Sequence, residues 1–186
     1  NSSSSAASLV TYWNYQNSYC RVPGSGDSGG AGDGQLNQFN TGATHLTSGS
    51  ASDYTLVEMN NSPDDSWEVS YCGWSAEDIT TEYSVGIHHP NTDEKRWSID
   101  NDPSEIYGYN EPGTTHLRIV DWDLGTTEPG SSGSPLFNQD HQVVGQLHGG
   151  YAACGNDLED WYGRFAVSFT AGLEGYLDSA GTGSLT

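Results

Sequence analysis

Apolar residues in this chain fall in short runs rich in Val, Ile, Thr, Tyr and Trp, and nearly every run is closed by Gly, Asn, Asp, Ser or Pro. Such spacing predicts β-strands separated by turns. The runs place strands at 8–15, 54–59, 67–74 (which holds Trp67 and Trp74), 83–89, 95–100, 115–122, 134–138, 142–148 and 162–169. Residues 171–178 alone suit a short helix, residues 1–7 read as a Ser/Ala-rich loop, and 23–42 form a long Gly/Ser/Asp-rich surface loop. Regular short strands without an internal repeat indicate an all-β sandwich or barrel, and periodicity alone does not separate the two.

Composition narrows the partners. The 25 acidic residues face 5 basic ones, for a net charge of −20. Phosphate binding needs clustered Lys and Arg, so nucleic acid is not an expected partner. Such a charge keeps a secreted protein soluble, attracts cationic substrates and suits a saline habitat where salt screens self-repulsion. No run approaches the roughly 18 apolar residues of a membrane span, so no membrane is expected. Asn1-Ser2-Ser3-Ser4-Ser5 has neither a basic start nor an apolar core, so the expected start is a processed terminus rather than a signal peptide. Cys20, Cys72 and Cys154 are too widely spaced for a zinc cluster, and an odd count in a secreted-looking chain implies a free thiol or a bond to something outside it. His88 and His89 are adjacent strand residues facing opposite ways, so no metal site and no cofactor is expected. A calcium-binding β-domain is the reading suggested by the Asp/Gly loop at 25–34, but no EF-hand spacing supports it.

The stretch with chemical promise is Gly130-Ser131-Ser132-Gly133-Ser134-Pro135, followed by the apolar Leu136-Phe137. A serine in a Gly-flanked turn before a buried strand is a good platform for a nucleophile, because glycine allows unusual dihedrals and close approach of substrate. The amides of Gly130 and Ser132 are placed to hold an oxyanion. A rival motif, Gly26-Asp27-Ser28-Gly29-Gly30, spells a common protease signature but runs on into more Gly and Asp with no strand after it, so Ser28 is read as a loop residue.

Glu128-Pro129-Gly130-Ser131-Ser132-Gly133-Ser134-Pro135, with Gly145-Gln146-Leu147-His148-Gly149-Gly150 behind it, resembles the nucleophile region of the chymotrypsin-fold lysyl endopeptidases, secreted bacterial trypsin-like proteases. The likeness recurs at Val10–Ser18, Ser52–Asn60, Ile87–Asn91, Glu94-Lys95-Arg96 and Gly113–Leu117, in the family's order. It implies an all-β, double six-stranded antiparallel β-barrel with the first barrel incomplete in this chain and a short C-terminal helix. The implied division is 1–78 for the rest of the first barrel and 79–186 for the second.

By the same resemblance Ser132 is the nucleophile, Asp53 the acid that orients the base, and Gly130 and Ser132 the oxyanion donors. Trypsins place an acid six residues before the nucleophile, where this chain has Thr126. Lysyl endopeptidases take it from a later strand, matched here by Asp160-Trp161-Tyr162-Gly163-Arg164, so Asp160 is the implied base of a pocket for Lys or Arg. His148, Gly149 and Gly150 would line the cleft, with Tyr107 or Tyr109 stacked on His148. The family's Ala-Ala-His-Cys segment has no counterpart, and His45 alone precedes Asp53, in a loop. His88, His89 and His116 read as structural. The catalytic histidine is therefore expected on an N-terminal fragment of the same protease, with Cys20 and Cys154 bonded to it and Cys72 also a candidate. The expected partners are that fragment and a polypeptide substrate cleaved through an acyl-enzyme. The other class of reading is a non-catalytic homologue that serves as an extracellular binding module.

Overall fold

The computed structural model describes residues 3–186. Within them lie strands β1 (Val10–Tyr12), β2 (Phe39–Thr41), β3 (Ala43–Gly49), β4 (Tyr54–Met59), β5 (Ser84–His88), β6 (Arg96–Asp100), β7 (Glu105–Tyr107), β8 (His116–Ile119), β9 (Pro135–Phe137), β10 (Val143–Gly150) and β11 (Asp160–Arg164). β1 pairs with β2 and β3 with β4, while β5–β11 form one antiparallel sheet in the order β6-β5-β9-β10-β11-β8-β7.

The two outer strands of that sheet are consecutive in the chain, joined by residues 101–104. A flat sheet of seven strands would hold its edges about 29 Å apart. A link of that length spans under about 20 Å. The sheet must therefore curl. Side chains tie the two ends together, since Thr81, just before β5, donates its hydroxyl to Ser104 Oγ, just before β7, at 2.8 Å. The all-β expectation holds, with a curled antiparallel sheet and a short helical C-terminus.

The buried side of the sheet is mixed: β5 and β6 contribute Ser84, His88, Ser98 and Asp100, and the remaining strands an apolar cluster. Leu117, Ile119, Trp122, Leu136, Val144, Leu147, Ala152 and Tyr162 form one buried cluster. Every residue of β11 is buried, as befits a strand covered on both faces. A second cluster joins Tyr54 of β4 and Ala76 to Phe165, Phe169 and Leu173, with Trp74 laid against Phe165 and Phe169 at ring-centroid distances of 5.5 and 5.2 Å.

Several elements depart from the sequence-based expectation. Residues 3–7 are a one-turn helix rather than loop, and β2 and β3 arise where no strand was predicted. Residues 67–74 are not a strand. Asp65–Trp67 make a 3-10 turn, and Trp74 contributes a single bridge to Val143. The strand read at 162–169 ends at Arg164, and Phe165 begins the helical run that continues through Leu177. Phe165, Phe169 and Leu173 recur every fourth residue, a helical period that overrides the aromatic β-propensity of the segment.

Asp100, at the end of β6, is 3% exposed. Burial pushes its pKa up to about 6; the Asp102 amide opposes the rise, and the charges of Asp102, Asp121 and Asp123 add to it. A folded pKa above the unfolded value means the favourable contribution is full below about pH 4 and is lost as pH rises through about 6. Asp100→Asn keeps the acceptor for Asp102 and removes the charge. Its melting temperature should exceed that of the wild type at neutral pH, and the gap should close near pH 4. A constant gap across that range would show that the charge of Asp100 is not its cause.

Candidate active site

Strand β10 assembles the site. Its Leu147 carbonyl accepts the Gly133 amide at 2.7 Å, and its Leu147 amide donates to Ser134 O at 2.9 Å, so the 130–134 turn lies along it. Gly130 and Gly133 have φ of +100° and +82°, a backbone that side chains disfavour. Within this turn Ser131 N–H donates to Glu128 O and Ser134 N–H to Ser131 O. The amides of Gly130 and Ser132 make no hydrogen bond among the described residues. Ser132 is exposed, and its hydroxyl is likewise unbonded. One unengaged hydroxyl beside two unengaged amides is a surface that can attack a carbonyl and hold the oxygen that becomes negative.

The turn between β3 and β4 carries Asp53, whose φ is +50°. It is held by its neighbour. Ser52 is 1% exposed, its hydroxyl lies 2.9 Å from Ser168 Oγ, and its carbonyl accepts Gln146 Nε2 at 2.6 Å. Gln146 also reaches Ser168 Oγ at 3.0 Å. Gly163 permits this approach, because a Cβ there would overlap the Ser52 carbonyl oxygen. Through Gln146, β10 thus fixes the Asp53 turn beside the serine turn.

His148 follows one residue after Leu147. The β10–β11 register jumps between Leu147 and Gly149, so His148 is the extra residue of a β-bulge and its side chain is re-aimed. Its ring stacks on Tyr109 at 3.7 Å between centroids, with the planes 13° apart. Its Nδ1 is 2.9 Å from His116 Nε2, and its Nε2 stands 3.7 Å from Asp53 Oδ2. Burial first, then the facing His148, holds the His116 pKa down to about 4. No histidine is hydrogen-bonded to Ser132 among the described residues.

Asp160 pairs with Gly150 across β10 and β11 and is 1% exposed. Its Oδ2 accepts Trp122 Nε1 at 2.8 Å and Thr127 Oγ1 at 2.7 Å. Its Oδ1 is buried without a partner, and a Cβ on Gly150 would overlap it. Burial pushes the carboxyl pKa up, opposed by the donations from Thr127 and Trp122 and by the backbone amide of Ala152. Oδ2 is thus satisfied by two side chains, while Oδ1 is enclosed against Gly150.

Ser132, Gly130, Asp53, His148, Gly149, Gly150 and Asp160 all border β10. Cys20, Cys72 and Cys154 are exposed thiols at separate points of the surface, with no disulfide among the described residues. Ser28 sits in the exposed 23–30 loop, away from any strand. Gln146, Ser52, Trp122 and Thr127 were not singled out from the sequence. The run Gly145-Gln146-Leu147-His148 held the one available signal, a polar residue set among apolar neighbours in a predicted strand.

The profile of the lysyl endopeptidase C-terminal domain matches residues 1–163. The chain belongs to that family. This makes it a serine-protease-like domain of lysyl endopeptidase type. It is also similar to crystal structures of the Rv3671c protease of M. tuberculosis. The active form shares 19% identity with a TM-score of 0.48, the match covering 74% of this chain and 61% of that one. The inactive form shares 17% with a TM-score of 0.47, covering 74% and 70%. The chain thus spans less than two thirds of the active form's length.

In this lysyl endopeptidase-type domain, Gln146→Leu removes both donations that pin the Asp53 turn. An unpaired buried carbonyl costs about 1–3 kcal/mol. The variant should melt several degrees lower, and the amides of 50–54 should exchange faster with solvent. Unchanged exchange there would show that β10 does not hold the turn.

Proposed function

We propose that this chain supplies the nucleophile, oxyanion donors, orienting acid and specificity pocket of a secreted serine endopeptidase that cleaves after basic residues, lysine foremost. The observation that carries the reading is the exposed Ser132 hydroxyl flanked by the unengaged amides of Gly130 and Ser132. Ser132 Oγ attacks the scissile carbonyl, and the two amides stabilise the resulting oxyanion. A histidine takes the hydroxyl proton and returns it to the leaving amine, and water then hydrolyses the acyl-enzyme. Asp53 orients that histidine. Asp160 Oδ1 pairs with the substrate cation.

The reading of a base supplied from elsewhere is supported by His148, which engages His116 and faces Asp53 rather than Ser132. We assign that base to an N-terminal segment of the same protease, bonded through Cys20 and Cys154, with Cys72 a further candidate. Bonded to that segment these cysteines would be disulfides, which form and persist in an oxidising, extracellular setting.

The test is intact mass before and after a fluorophosphonate reagent, with and without reduction. One added phosphonyl group on this chain, and release of a histidine-bearing partner by reduction, is the expected result. Absence of labelling in the intact protein would favour the non-catalytic binding module. Labelling with no reducible partner would remove the disulfide link and keep the enzyme.

A further inference from the structure

Beneath the nucleophile turn lies a buried imidazole that the proposed reaction does not use. His88 closes β5 and is 1% exposed. Its Nδ1 is 3.0 Å from Ser131 Oγ and its Nε2 is 3.1 Å from Ser98 Oγ. One tautomer satisfies the whole line. The single hydroxyl hydrogen of Ser98 goes to the Thr126 carbonyl at 3.1 Å, so Ser98 Oγ accepts from His88 and Nε2 carries the proton. Nδ1 is then an acceptor, and Ser131 donates to it. Ser131 Oγ in turn accepts the Glu128 amide at 3.3 Å. The bonds run in one direction from Glu128 N–H through Ser131, His88 and Ser98 to Thr126 O.

A second proton on the ring would set two hydrogens facing each other at Ser131. Burial first, then the neighbouring His89 and Arg96, holds the His88 pKa down to about 4, which keeps the ring in its single-proton form. The backbone after His88 meets the same turn. Asn91 N–H donates to Pro129 O at 2.8 Å, and a Cβ on Gly130 would lie 3.2 Å from Asn91 N.

Ser131 is the residue between the two unengaged amides. We infer that His88 is a positioning residue for the oxyanion turn: through Ser131, its neutral Nε2–H imidazole fixes the path of Gly130–Ser132 and so the direction in which those amides point. The inference rests on the protease reading and extends it to a residue that touches no reacting atom.

The test uses Ser131→Ala, His88→Asn and the double variant in the complete protein. The readouts are kcat and KM on a lysyl ester, and the 15N shifts of His88 in the wild type. Loss of one oxyanion donor costs about 100- to 1000-fold in kcat, so misdirecting a pair that is still present should cost about tenfold, with KM within about twofold. The double variant should be no slower than the slower single one, because both act through one bond. The shifts should report neutral Nε2–H from about pH 5 to about pH 8. Ser131→Ala alters little volume and folds even if His88→Asn does not. Ser131→Ala with wild-type kcat, single effects that multiply, or His88 protonated on Nδ1 would each overturn the positioning role. A wild type inert to substrate and fluorophosphonate would overturn the protease reading, and the positioning role with it, even where the shifts show the expected tautomer.

Discussion

Ser132→Ala should abolish covalent labelling and lower turnover of a lysyl ester by about 10⁶-fold, the scale seen when a serine nucleophile is removed from a working triad. The fold should not notice. Ser132 is exposed and its hydroxyl bonds to nothing, so the melting temperature should stay within about a degree, as surface changes away from packed features generally do. The neighbouring serines sharpen the test because each has a different fate. Ser131 is buried and donates downward to His88, Ser134 has a buried hydroxyl, and Ser28 belongs to a distant exposed loop. Among these four serines, Ser132 is the one that presents an unengaged hydroxyl beside two unengaged amides. Ser28→Ala should therefore label at the wild-type rate. A Ser132→Ala protein that still labels would move the nucleophile elsewhere and remove the proposed mechanism.

The sequence showed the second half of the fold better than the first. β8, β9 and β10 are runs with buried apolar positions, while β5 and β6 bury Ser84, Gly86, His88, Ser98 and Asp100 and were legible from the Val, Ile and Trp that alternate with them; each lies close to its predicted place. β2 and β3 were hidden because Phe39-Asn40-Thr41 and Ala43–Gly49 carry polar residues and pair in exposed two-stranded sheets, where no apolar face forces an alternation. Trp67 and Trp74 made 67–74 look like a strand, but Trp74 serves the second core cluster as one packed ring. The site divides the same way. The Gly-Ser turn announces itself through local dihedral needs, which are written in adjacent residues. Asp53 does not, since an acid before a strand is first of all a turn residue. The partners that hold the site in place were not legible. Gln146 meets Ser52, Trp122 meets Asp160 and His88 meets Ser131 across strands far apart in the chain, and those meetings follow from register and a bulge rather than from any local pattern.

Asp160→Asn should lower kcat/KM for lysyl and arginyl substrates by on the order of 10⁴, the penalty for losing the buried partner a site was built around. Fluorophosphonate labelling should change by less than a few-fold, because Ser132, Gly130 and Asp53 are held by other contacts. The stability effect has the opposite sign. The wild-type carboxyl is buried with Oδ1 unpartnered and its pKa raised, so its favourable contribution is present at low pH and lost as pH rises through the folded pKa. An Asn keeps an oxygen for Trp122 and Thr127 and carries no charge, so the variant should melt above the wild type at neutral pH and approach it in acid. In the proposed reading, the stability that the buried carboxyl costs is offset when a substrate cation pairs with it. An Asp160→Asn protein that still prefers basic residues would place the specificity elsewhere. One that loses both labelling and stability would make Asp160 a structural acid.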